Sequence, residues 1–211
     1  MPSSADASFR RALTDVNNLM VFHENEGGNA PGRRSADLGS LNKSAIVLLC
    51  AAWESYVEFV IRECAVRNID AAMAPSDMLK PLRKLVSSHL RSDKDESTWE
   101  RTAGEGWRDL TKSCVHSIVS ILNTPKTVQV FSLMKEVLGV SDLDGTWSWH
   151  KNPLGKPARR LNAFVALRGS IAHGEVLPNN VKKKQVTEAK DLLSRLVEKV
   201  ETRLIADGLL A

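Results

Sequence analysis

The 211-residue sequence holds three cysteines, one tyrosine and only 5% aromatic residues. Cys50, Cys64 and Cys114 are odd in number, and no two form a close pair of the kind that ligates zinc, which excludes a closed disulfide framework and a zinc-ribbon site. Each lies inside an apolar helical pattern and is predicted to be a reduced core residue. The longest uninterrupted apolar run, Ala45 to Trp53, has nine residues, against about 20 for a membrane span. Met1 to Asp6 is polar and acidic where a secretory signal needs a basic and then an apolar segment. A cytoplasmic protein with no membrane contact is expected. There is no internal repeat, no Walker loop, no dinucleotide-binding glycine pattern and no alternation long enough for a strand. His23, His89, His116 and His150 have no partners at metal-ligand spacing, so no metal or other cofactor is expected.

What the chain does have is helical periodicity. With 43% hydrophobic residues it is long enough to bury a sizeable core as one domain. Phe9, Leu13, Val16 and Met20 recur at three- and four-residue intervals, predicting an amphipathic helix over about 8–22. Gly27 to Gly32 breaks it, and Arg33-Arg34 follows as a short basic step. Ser35 or Asp37 caps a long second helix running towards Asn68, apolar on nearly every face between Ala45 and Trp53 and hence central to a bundle. A third helix carries Met78, Leu82, Leu85, Val86 and Leu90, with Pro81 in its first turn. The charged stretch from Arg91 to Gly106 reads as a surface loop.

Trp107, Leu110, Cys114, Ile118 and Ile121 mark a fourth helix. Thr124 and Pro125 read as the cap and first position of a fifth, which carries Val128, Phe131, Leu133, Met134 and Leu138. The connection from Gly139 to Pro157 holds Trp147, Trp149 and His150. These either stack on unpaired bases or fold back as a lid on the core; a loop this long needs its own packing, which favours the lid. The sixth helix turns Leu161, Phe164, Val165, Leu167 and Ile171 inward and stops at Gly174. The last, over about 180–207, has Val186, Ala189, Leu193, Leu196, Val200 and Leu204 as its seam. The expected fold is all-α, an up-and-down bundle of six or seven helices with the second, sixth and last at its core. Residues 1–35 form an N-terminal helix and loop packing on the bundle, and residues 36–207 form the main domain.

Charge is unevenly spread. Residues 1–150 carry 17 Lys and Arg against 19 Asp and Glu, whereas residues 151–211 carry 12 against 6. The excess surrounds Leu167-Arg168-Gly169-Ser170-Ile171-Ala172-His173-Gly174. Arg168 offers a permanently charged, planar fork of donors that matches phosphate oxygens, and His173 changes charge near neutral pH. Together they supply a phosphate clamp and a proton carrier. Residues five apart on a regular helix lie about 140° apart around its axis. Arg168 and His173 therefore converge only if the chain leaves helical geometry near Ala172, or if the site is shared with a second chain. Lys182, Lys183 and Lys184 open the last helix, where its dipole disfavours cations. They form either a solvated face or a contact for an anionic ligand.

The stretch from Arg168 to His173 resembles the signature of the HEPN superfamily, an arginine, four to six residues and then a histidine at the end of a bundle helix. Leu48 to Glu58, an apolar run leading into Trp53-Glu54-Ser55-Tyr56, is similar to the first long helix of the RiboL-PSP-HEPN branch. The resemblance spans roughly residues 36–207. It implies metal-independent cleavage of RNA by the adjacent 2′-hydroxyl, two motifs facing across a homodimer, and a defence or toxin–antitoxin setting with an inhibitor protein as a further partner. By the same resemblance His173 is the general acid or base, and Arg168 stabilises the phosphate charge. Glu54 orients the pair and Ser170 donates a hydrogen bond. On charge, Lys182, Lys183, Lys184, Arg159 and Arg160 are the expected RNA contacts. The chain departs from the pattern at Gly169, where many members carry a polar residue after the arginine. A non-catalytic HEPN-like module that binds RNA or protein is the alternative, and a helical adaptor is a third reading.

Overall fold

The computed structural model describes residues 3–27, 36–175 and 180–210. The expected loop through Arg33-Arg34 and the cap at Ser35 lie outside the described residues. The described residues form seven α-helices, α1 (Ser4–Gly27), α2 (Ala36–Ala71), α3 (Lys80–Ser92), α4 (Gly106–Val119), α5 (Thr127–Leu138), α6 (Lys156–Ala172) and α7 (Lys183–Ala206). Among the described residues there is no strand, and the all-α bundle expected from the sequence is the fold.

α2 is the axis of the bundle. Ile46, Leu49, Trp53, Val57, Val60, Ile61 and Ile69 are fully buried, and α1, α4, α5, α6 and α7 all pack against it. The core therefore has one hub with five neighbours. It is not the expected trio of second, sixth and last helices, because α1, α4 and α5 present apolar stripes to α2 as well. An 18-residue window within Leu38–Ala71 has a mean hydropathy of 1.6, so α2 is long and apolar enough on composition alone to cross a membrane, though no uninterrupted run signals it. Here 56% of that window is buried inside the protein.

Each end of α1 and α5 shows how local chemistry sets an element. Ser3 caps α1, its Oγ accepting from Asp6 N–H at 2.9 Å. The next free amides, Ser4 and Ala5, donate to the two carboxylate oxygens of Glu63 on α2, both at 3.1 Å. Acidic groups at a helix N-terminus satisfy its orphan donors and its dipole together. From there Ala5, Phe9 and Val16 bury against α2. α5 starts at Thr127, two residues later than the Thr124-Pro125 signal predicts. The Pro125 carbonyl is taken by Trp53 Nε1 at 3.0 Å, and Asn162 of α6 accepts from Thr127 N–H at 2.9 Å. Tertiary bonds thus hold Lys126 extended, with ψ 165°. α5 ends at Gly139, φ 76°, whose N–H returns to the Lys135 carbonyl at 3.0 Å in a left-handed cap.

The two connections read as loops carry order of their own. The charged one contains a 3-10 turn, Glu96–Thr102, pinned by Thr98 Oγ1 donating to Asp93 at 2.8 Å and by Asp95 capping Ser97. Trp147 of the second is buried between Phe131, at a ring-centroid distance of 4.8 Å, and Trp53, at 6.4 Å. That tryptophan lids the core.

Candidate active site at the end of the sixth helix

α6 buries Leu161, Phe164 and Val165, which turns Arg168 towards the flank of α2. There Arg168 Nη2 donates to Glu54 Oε2 at 3.4 Å, with the two side chains 30% and 23% exposed. One turn earlier on the same α2 face, Cys50 also contacts the guanidinium. One turn later comes Glu58, which pairs with Arg62 at 4.0 Å and faces His116 of α4. Cys50, Glu54, Glu58 and Arg62 thus make a polar seam at four-residue spacing along an otherwise apolar helix.

Burial dominates the electrostatics of this seam. It pushes the Glu54 carboxyl above the usual carboxylate range; Arg168 pulls the other way and only partly offsets it, and Glu58 adds to the rise. Burial also raises Glu58, against the pull of Arg62 and His116. The Cys50 thiol is pushed up to about 11 despite Arg168 beside it, so it stays protonated and is no nucleophile at neutral pH. Arg168 gives one Nη to Glu54, and its guanidinium also lies against Cys50.

α6 ends at Ala172, and His173, at φ −84° and ψ 2°, is its C-cap, with His173 N–H reaching the Gly169 carbonyl at 3.0 Å. The chain turns away at Gly174, φ 67°. The chain leaves helical geometry just after Ala172, as one of the two expected ways of uniting the pair requires. Ideal helical spacing would set position 173 about 140° round the axis from Arg168. His173 is exposed, and its side chain makes no hydrogen bond or ion pair among the described residues. Ser170, half-buried, sits nearly opposite Arg168 on the helical wheel, about 160° away.

The basic residues assigned to RNA fall into two groups. Lys182, Lys183 and Lys184 are all exposed at the start of α7; Lys182 N–H is capped by Gln185 Oε1 at 2.9 Å, and Lys184 lies 3.8 Å from Glu188. Arg159 is exposed. Arg160 instead ties α6 to its neighbours, donating to Asn152 Oδ1 at 2.9 Å and to the Glu188 carbonyl at 3.4 Å. It also lines a cavity of about 630 Å³ together with Arg10, Trp149, His150 and Arg195, and neither Arg168 nor His173 reaches that cavity.

A second polar cluster went unnoticed in the sequence. Glu201 of α7, 9% exposed, accepts from Ser3 Oγ at 2.7 Å, Ser3 N–H at 3.1 Å and Tyr56 OH at 3.1 Å. Burial and the neighbouring Glu201 carboxylate hold the Tyr56 phenol well above its ordinary pKa, so it remains a donor. The signal was a glutamate within the apolar stripe Val197, Val200, Leu204.

An all-helical bundle built round one apolar hub, with an arginine and a histidine at the end of a bundle helix and a carboxylate braced against the arginine, defines a HEPN-type domain. The profile of the RiboL-PSP-HEPN family matches residues 11–206, and the chain belongs to that family. The match begins inside α1, well ahead of residue 36, where the motif resemblance starts. No curated protein and no solved structure matches the chain.

Proposed function

We propose that this protein is a metal-independent endoribonuclease whose site is completed by two copies of the chain. The observation that carries the reading is a part-buried, carboxylate-braced Arg168 followed five residues later by an exposed His173 that has no side-chain partner among the described residues. A second copy supplies the facing member of the pair. Val47, Leu48, Ala51 and Phe59 are exposed apolar residues of α2, Val47 and Ala51 on the side that carries Glu54, an unusual feature for the central helix of a bundle and suited to an isologous contact.

In the reaction the RNA 2′-hydroxyl attacks the adjacent phosphorus. An imidazole takes the 2′ proton, the bond from phosphorus to the 5′ oxygen breaks, and that oxygen leaves with a proton from a second acid. The products are a cyclic phosphate and a free 5′-hydroxyl, and DNA is spared. Each site takes Arg168 from one copy and His173 from the other; that imidazole takes the 2′ proton, a transfer worth about 10² to 10⁴ in rate, and water serves as the second acid. Arg168 meets the charge building on the phosphate oxygens, with Glu54 fixing its direction. Arg159 and Lys182 to Lys184 draw the polyanion in. A cytoplasmic setting and an inhibitor protein, as in a toxin–antitoxin or defence pair, belong to the same proposal.

Gly169 favours a second reading, RNA binding without cleavage. It places no side chain beside Arg168, and the space around it is open to 4 Å. Incubation with labelled single-stranded RNA in chelator, alongside Arg168→Ala and His173→Ala, tests both. Cleavage lost in either variant, with the deoxy strand left intact, supports the nuclease. Undiminished binding with no cleavage supports the second reading, and neither activity leaves a protein-interaction bundle.

A further inference from the structure

Like α6, α3 carries four basic side chains and no acidic one, and it is the shorter of the two. Lys80, Arg83, Lys84 and Arg91 lie within its 13 residues, with no acidic residue among them, although the first 150 residues as a whole are slightly acidic. Between α3 and α5 lies a cleft of about 460 Å³, floored by Pro81 and Leu85 and rimmed by Lys80, Lys84, Lys135 and Ser88, with Ser132 and Glu136 completing the rim. The Pro81 ring sits against Gly139, so the start of α3 and the end of α5 form a closed corner.

None of the three lysines forms an ion pair among the described residues, and neither serine hydroxyl makes a hydrogen bond. Five donor side chains therefore face one cleft, with Glu136 the single carboxylate opposing them. Lys80 and Lys84 are also like charges four residues apart, at the positive end of the helix dipole. That arrangement is unfavourable in isolation and is relieved by a bound anion. Three point charges over an apolar floor suit phosphodiesters, whose charge is distributed and whose sugars and bases cover the floor.

We propose that this cleft is an outlying phosphate contact for the RNA strand, in which Lys80, Lys84 and Lys135 neutralise backbone phosphates away from the bond being cut. Leu79 N–H bonds Asn68 Oδ1 at 2.9 Å, fixing the start of α3 to the far end of α2. Asn68 lies 14 residues beyond Glu54, or about 21 Å along the helix. The cleft is thus a separate station from Arg168. Only the identity of the strand rests on the ribonuclease proposal; the anion site itself does not.

The test uses the Arg168→Ala protein, so that no RNA is cut, and reads fluorescence anisotropy of a labelled single-stranded RNA across a salt series. Lys80→Gln, Lys84→Gln and Lys135→Gln combined remove up to three phosphate contacts and lower the salt slope by about 2. The same charge loss placed elsewhere, at Lys43, Lys94 and Lys199, changes the slope by less than half of that. Equal slopes for the two triple variants overturn the proposal. Inorganic tripolyphosphate is titrated in parallel by calorimetry. Tripolyphosphate binding lost in the cleft variant, with RNA binding unchanged, makes the ligand a free phosphate compound and overturns the RNA path. If the Arg168→Ala protein binds no RNA at all, the strand is overturned, and the tripolyphosphate titration alone decides whether the cleft takes anions.

Discussion

Replacing Glu201 with alanine strands three buried donors at once. Ser3 N–H, Ser3 Oγ and Tyr56 OH all end on this one carboxylate, at 3.1, 2.7 and 3.1 Å, and Ser3 and Tyr56 are 6% and 1% exposed. Water reaches Tyr56 poorly, so the lost acceptor is not replaced. A hydrogen bond to a charged group is worth about 1.5–3 kcal/mol, and the three are not additive because Ser3 contributes two of them. Removing one partner of a buried charged network costs about 3–5 kcal/mol, and about 3 kcal/mol is the expected loss here, since the start of α1 can partly rehydrate. With a urea m-value of about 2 kcal/mol/M the unfolding midpoint falls by about 1.5 M. Tyr56→Phe removes a single donor and leaves Glu201 its two bonds to Ser3, which predicts about 1 kcal/mol, or about 0.5 M. The double variant should cost less than the two singles summed. A Glu201→Ala midpoint within about 0.5 M of the parent, or additive costs in the double variant, would refute the argument that this carboxylate anchors α1 to α2 and α7.

Three further outcomes follow from single features. Glu54 has its folded pKa raised by burial, so its contribution to stability is present below the ordinary carboxylate pKa and is lost as pH rises through the folded value. Glu54→Gln should therefore melt at the parent's temperature in acid and at or above it at neutral pH, while RNA cleavage falls; melting below the parent at neutral pH would mean the Arg168 pair outweighs desolvation. Trp147→Ala should cost about 3–5 kcal/mol through the cavity beside Phe131 and Trp53. Trp147→Phe should cost less than half as much by chemical denaturation, because the indole Nε1 is buried without an acceptor. Gly139→Ala should lower stability by about 1–2 kcal/mol, since its φ is 76° and the added Cβ would lie 3.1 Å from Pro81 Cγ; an unchanged melting temperature would contradict that.

The helices were legible because their signals are local. Pro81 and Pro157 fall in first turns, Gly174 takes the left-handed conformation that ends α6, and the apolar run through Trp53 marks the buried hub. The start of α5 was misread because the fate of the Pro125 carbonyl is decided by Trp53, 72 residues away. The contact between Arg168 and Glu54, 114 residues apart, could be named from a family pattern but not from spacing. The corner of lysines on α3 and α5 escaped because summing charge over halves of the chain hid a basic helix inside an acidic stretch. Cys50, four residues before Glu54, was an available sign of the polar seam that apolar context masked.

The claim that two chains share the catalytic groups is tested most directly by mixing. Arg168→Ala and His173→Ala proteins are inactive alone, each down by about 10² to 10⁴. After subunit exchange at equal concentrations half of the dimers are mixed. Each of these rebuilds one of its two sites, so RNA cleavage should return to about a quarter of the parent rate if the dimer is a symmetric pair. A mixture no more active than its separate components would contradict a site divided between copies.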